Sequence, residues 1–102
     1  MAKATLHPKA RAEMNAAASH YRRKAGREVA ARFLAEVNRC AAWLLEHPLG
    51  APPAGPESVR KKVLLDHFPY TLYYVITPRG IRIVVIAHQR QDLGDFSDRL
   101  KP

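Results

Sequence analysis

Tyr70-Thr71-Leu72-Tyr73-Tyr74-Val75-Ile76, then Thr77-Pro78-Arg79-Gly80, then Ile81-Arg82-Ile83-Val84-Val85-Ile86-Ala87-His88 is the stretch that decides the fold. Both outer runs are rich in β-branched and aromatic residues, which suit a pleated, half-buried surface. Between them, proline at the second turn position and glycine at the fourth suit a type I turn. An antiparallel hairpin is predicted. Successive side chains of a strand point to opposite faces. Ile81, Ile83, Val85 and Ala87 are therefore expected under whatever packs on the sheet. Arg82, Val84, Ile86 and His88 are expected on the far face, with Arg90 continuing their parity.

Upstream, Val59 to Leu65 reads as a third strand of the same kind. Pro48-Leu49-Gly50-Ala51-Pro52-Pro53-Ala54-Gly55-Pro56 precedes it and excludes both helix and central strand, leaving an extended connection. Before that the period changes. Ala10, Met14, Ala17, Ala18 and Tyr21 recur at the three-to-four spacing of one helical face, with Pro8 at the first turn where its missing N–H costs nothing. Val29, Phe33, Val37, Cys40, Ala41, Leu44 and Leu45 line a second helix from about Arg27 to Glu46. Gly26 separates the two as the tip of a helical hairpin. Residues 2–6 suit a short strand. The order is β-α-α-β-β-β, an α+β fold with two helices on one face of a small, mainly antiparallel sheet. At 102 residues the chain is a single domain, with residues 91–102 as a polar tail.

Seventeen Lys and Arg against nine Asp and Glu give a net charge of +8. Such a balance points to an acidic partner. Cys40 is the only cysteine, so neither an internal disulfide nor a cysteine-based zinc site is possible. His20, His47 and His67 lack metal-ligand spacing, and no glycine-rich phosphate loop is present. The reading calls for no metal and no cofactor. The longest aliphatic run, Ile83–Ala87, is far short of the roughly 20 residues that span a bilayer. A soluble, cytoplasmic protein is expected.

The chain resembles the RelE/ParE superfamily of bacterial type II toxins over residues 4–96. The matching pieces are Leu6-His7-Pro8-Lys9-Ala10, Tyr21, Gly26, Pro48-Leu49-Gly50 and Arg60. Phe68-Pro69-Tyr70-Thr71-Leu72-Tyr73-Tyr74 and Ile86-Ala87-His88-Gln89-Arg90 follow in the same order. The resemblance implies a growth-inhibiting toxin neutralised by a small cognate antitoxin, with operator DNA reached only through the antitoxin. It leaves two targets: DNA gyrase for ParE-like members, or the ribosome and its mRNA for RelE-like endoribonucleases. RelE-like nucleases often carry a C-terminal tyrosine or histidine among several cations. Here no tyrosine follows Tyr74, and the last positions read Gln91, Leu93, Asp95 and Phe96. The gyrase reading is favoured for that reason. A non-toxic antitoxin-binding module is the third alternative.

Site residues follow from these readings. A histidine with fixed arginines is a minimal set for moving protons at a phosphodiester, so His88, Arg82 and Arg90 are the catalytic candidates if the chain is a nuclease. Arg60, Lys61, Lys62 and Tyr74 are candidates for contact with nucleic acid or target, although aromatics in a central strand more often belong to the core. Val29, Phe33, Trp43, Arg22 and Arg23 are the candidate antitoxin contacts.

Overall fold

The structure, a computed structural model, describes residues 2–55, 58–64 and 68–101, apart from the side chain of Val63. The expected element ends at Pro56 and Leu65, the terminal Pro102, and His67 fall outside the described residues. The order is as read: β1 (Lys3–Leu6), α1 (Pro8–Ala25), α2 (Arg27–Glu46), β2 (Arg60–Val63), β3 (Tyr70–Thr77) and β4 (Gly80–His88). A 3-10 turn at Ser97–Leu100 follows. The sheet order is β1-β4-β3-β2, parallel only between β1 and β4.

Local chemistry explains the helical half. Pro8 occupies the first turn of α1, and Nδ1 of His7 accepts a hydrogen bond from the Lys9 N–H at 3.0 Å. The link between the helices is a single glycine. Gly26 has φ 95°, a conformation that L side chains rarely adopt. Its N–H donates to the Arg22 carbonyl at 3.1 Å, and its own carbonyl accepts from the Ala30 N–H at 3.2 Å. Ala10 and Ala17 of α1 and Phe33, Val37 and Leu44 of α2 pack on Leu72, Tyr74, Ile81, Ile83 and Ile86.

The expected alternation along β4 holds only as far as Ile83. Tyr74 pairs with Ile83 and Tyr73 with Val85, so Val84 has no partner on β3. This is a β-bulge, with two residues opposing one. Beyond it every side chain changes face. Ile86 joins the helix-side core, while Val84, Val85 and Ala87 form a second cluster on the other face. His88 turns with Ile86 and packs on Tyr70, on the helix side. The expectation that Arg82 and His88 share the far face is thus corrected: only Arg82 lies there.

That face is also not open. Leu93, Phe96 and Leu100 of the tail expected to be polar pack on the second cluster together with Tyr73 and Val75. The backbone beyond the bulge needs partners too, because β1 ends at Leu6, opposite Ile83. Glu13 of α1 supplies one: its Oε1 accepts from the Ile86 N–H at 3.1 Å. The same oxygen pairs with Nη1 of Arg99 at 2.8 Å, and that nitrogen also donates to the Val84 carbonyl at 3.0 Å. One carboxylate and one guanidinium thus cap the β4 edge and fasten the tail.

Two predictions follow from this arrangement. Glu13→Ala leaves the N–H of buried Ile86 unpaired and should cost about 1–3 kcal/mol, read as a lower urea midpoint at unchanged slope. The second concerns His7, which caps α1 only while Nδ1 is unprotonated. Burial first, then Arg82, Arg99 and Lys9, lower its pKa below the usual histidine value; Glu13 opposes them. Folding therefore favours the neutral ring. The contribution is complete above the unfolded value of about 6.5 and is lost as pH falls through the folded value. The urea midpoint should fall between pH 7 and pH 5, and His7→Ser, a cap that does not titrate, should flatten that fall.

Candidate functional site

The bulge separates the three catalytic candidates. His88 ends β4 with its ring edge-on to Tyr70, centroids 5.3 Å apart, and its Nδ1 accepts from the Arg90 N–H at 3.1 Å. Tyr70 in turn belongs to an aromatic group with Tyr21, Phe33 and Phe68. Burial raises the pKa of both Tyr21 and Tyr70, so each phenol stays protonated at neutral pH. Arg82 pairs across from Val75 on the opposite face, beside Arg99 and Leu100. Six residues of strand separate it from His88, roughly 20 Å. Arg90 is exposed beyond the strand. His88, Arg82 and Arg90 therefore do not converge on one point.

A different group borders a shallow recess at the end of the sheet where β4 stops, with Tyr73 on the face opposite the helices and His88 on the rim. Lys61, Thr71, Tyr73, His88, Gln89 and Leu93 line a cavity of about 250 Å³. Among the described residues Lys61 is its only lysine or arginine, and no carboxylate lines it.

The cations Arg60, Lys61 and Lys62 do not act as one patch, because neighbours on a strand alternate faces. Arg60 lies opposite Tyr74, Lys61 opposite Tyr73 and Lys62 opposite Leu72. Nη1 of Arg60 donates to the Ala51 carbonyl at 2.6 Å. The Tyr74 hydroxyl donates to the Pro48 carbonyl at 2.6 Å. Together they tie the proline-rich connection to the sheet. Backbone bonds extend the tie: Lys61 N–H donates to the Pro52 carbonyl, and Ala54 N–H to the Val59 carbonyl. Tyr74 is completely buried, so it offers no surface to a nucleic acid or target. Its ring fills the core because the bulge keeps it in register with Ile83.

The antitoxin candidates divide in the same way. Phe33 is 0% exposed and Val29 half-buried against the same core, so Phe33 has no surface to present. Arg22 and Arg23 are exposed at the hairpin tip. Trp43, off the buried stripe of α2, is 41% exposed. Its indole packs on His47, lies against Gly50, and carries Lys62 Nζ 4.9 Å above its ring. Leu49, next in sequence to the Gly50 that the indole lies against, is 70% exposed. Burial pushes the Cys40 thiol up to about 11, which leaves it protonated and a poor nucleophile. Among the described residues no three His, Cys, Asp or Glu side chains converge as metal ligands.

Sequence reasoning overlooked Glu13, Arg99 and Leu49. For Glu13 a signal existed. It lies three residues after Ala10 and four before Ala17, a carboxylate on the apolar stripe of α1.

A sequence model described as "ParE toxin of type II toxin-antitoxin system, parDE" matches residues 4–93. The chain belongs to the ParE toxin family. It is the toxin of a type II toxin–antitoxin pair, whose partner is a cognate antitoxin. A solved structure titled "Chromosomal ParDE TA system from P. aeruginosa" shares its fold, with a TM-score of 0.74 and 23% identity. That match covers 86% of this chain and 96% of the other. No curated protein matches by sequence. No helix among the described residues of this ParE-family toxin is long and apolar enough to cross a membrane.

Gly50 tests the packing of Trp43. A Cβ there would stand 2.6 Å from the indole edge of Trp43. Gly50→Ala should displace the ring, and because Trp43 is the only tryptophan its emission reports the change directly. A red shift is expected, with a smaller one in Tyr74→Phe as the connection loosens.

Proposed function

We propose that this toxin stops growth by acting on DNA gyrase in the cytoplasm, and that its antitoxin silences it by covering the Trp43–Leu49 platform. The observation that carries the first part is the separation of His88 from Arg82 across the two faces of the sheet. Metal-free cleavage of a phosphodiester needs a proton-transfer group and a fixed cation at one phosphate. Here Tyr70 holds the histidine ring on one face, and the arginine lies on the other. Membership of the ParE family supports the same target. Trp43 is the natural anchor for a partner, since large aromatics with a nearby cation dominate protein interfaces. Operator DNA would be reached through the antitoxin.

A RelE-like reading keeps one specific observation in its favour. The recess bordered by Lys61, Tyr73 and His88 is large enough for a nucleobase-sized group and carries a cation.

Purified gyrase relaxing and supercoiling a plasmid, run beside translating ribosomes on a defined mRNA, separates the two. The expected result is inhibited or poisoned gyrase and intact mRNA, unchanged by His88→Ala. New 5′ ends that require ribosomes, and that vanish in His88→Ala, would replace this proposal with the RelE-like one. Normal colonies on induction of the soluble chain without antitoxin would leave only a harmless binding module. For the platform, Trp43→Ala should weaken antitoxin binding tenfold or more, on the order of 2 kcal/mol; unchanged affinity would remove the platform from the interface.

A further inference from the structure

Four of the seventeen cations crowd into six residues at the hairpin tip. Arg22, Arg23 and Lys24 end α1, Arg27 begins α2, and only Gly26 breaks the helical run between them. All four cations are exposed. Between His20 and Arg32 the only acid is Glu28. The ion pairs of the described residues lie elsewhere: Glu36 with Arg39, Glu13 with Arg99, and Asp98 with Lys101. The tip cations are thus unneutralised among the described residues. The single-glycine link also presets their spacing, so binding need not order a loop.

The chemistry of the tip selects its partner. A protein interface is built on an apolar centre with aromatic anchors. The large exposed apolar side chains among the described residues are Trp43, Leu49 and Ile76, and none lies at the tip. Arg27 and Trp43 are sixteen residues apart on one helix, roughly 24 Å. A surface of exposed guanidinium and ammonium groups without an apolar centre suits a run of phosphates, where counterion release supplies the affinity. Three of the four cations are arginine, whose planar fork pairs with phosphate oxygens.

We infer that the hairpin tip is a sequence-independent binding surface for the phosphate backbone of duplex nucleic acid. The toxin thus has its own contact to DNA besides any made through its antitoxin. The inference does not rest on gyrase as target or on where the antitoxin docks.

The test is fluorescence anisotropy of the full chain with a labelled 20-base-pair DNA duplex of arbitrary sequence, titrated across salt. Each phosphate contact contributes about −0.9 to the slope of log K against log salt. Four contacts predict a slope near −3.6, and Arg22→Glu with Arg23→Glu should reduce its size by about 2 and weaken binding at least tenfold. Lys9→Glu with Lys101→Glu makes the same change in net charge at exposed positions away from the tip and should keep most of the slope. Thermal melting of each variant confirms folding. No wild-type binding at low salt, an unchanged slope in the tip variant, or equal losses in both variants would each overturn the assignment. So would a tip variant that binds the duplex normally but loses its antitoxin, which would give the tip to an acidic protein instead.

Discussion

Val84 has no partner on β3, and that one unpaired residue turns the far half of β4 over. The consequences are both apolar and polar. Val84, Val85 and Ala87 gather on the face away from the helices, and they stay dry only because Leu93, Phe96 and Leu100 return to cover them. The bulge also changes which backbone groups face the β1 side. The Ile83 carbonyl accepts from the His7 N–H, while the next carbonyl, Val84, faces the same way and needs Arg99. An unpaired buried backbone group costs about as much as a lost hydrogen bond. Glu13 and Arg99 are therefore requirements of the bulge rather than additions to it.

The elements themselves were legible because local chemistry dictates them. The three-to-four spacing from Ala10 to Tyr21, the stripe from Val29 to Leu45, and the turn at Pro78-Arg79 lie where tertiary context does not compete. The bulge was not legible because Val84, Val85 and Ile86 are all apolar. With no polar side chain to mark the solvent face, alternation cannot show where parity slips. That one slip accounts for the misplaced His88 and for the assumption of an open face. The tail was misread for a different reason. Its charged residues dominate the composition, yet Leu93, Phe96 and Leu100 recur at a helical spacing among them.

Residue type makes Arg60 and Tyr74 candidates for target contact, although a central-strand aromatic more often belongs to the core, where Tyr74 lies. Their cross-strand pairing points both at the carbonyls of the proline-rich connection instead. Pro52 and Pro53 bring no N–H to that segment, and Arg60 supplies the donor from outside. Position in a strand fixed these roles more firmly than residue type did. Trp43 kept its exposure because it lies off the buried stripe of α2, a feature the spacing already carried.

α2 holds two chemically unlike surfaces apart. A rigid helix of 20 residues carries Arg27 in its first turn and Trp43 in its last. The first end has charge without apolar area; the second has apolar area with Lys62 as its nearest cation. Electrostatic attraction between exposed groups fades over a Debye length of about 8–10 Å at physiological salt. The separation along α2 exceeds twice that distance. A partner seated on Trp43 and Leu49 therefore leaves the field at the tip largely unscreened by its own charges. The net charge of the chain therefore overstates the attraction felt at either end of α2.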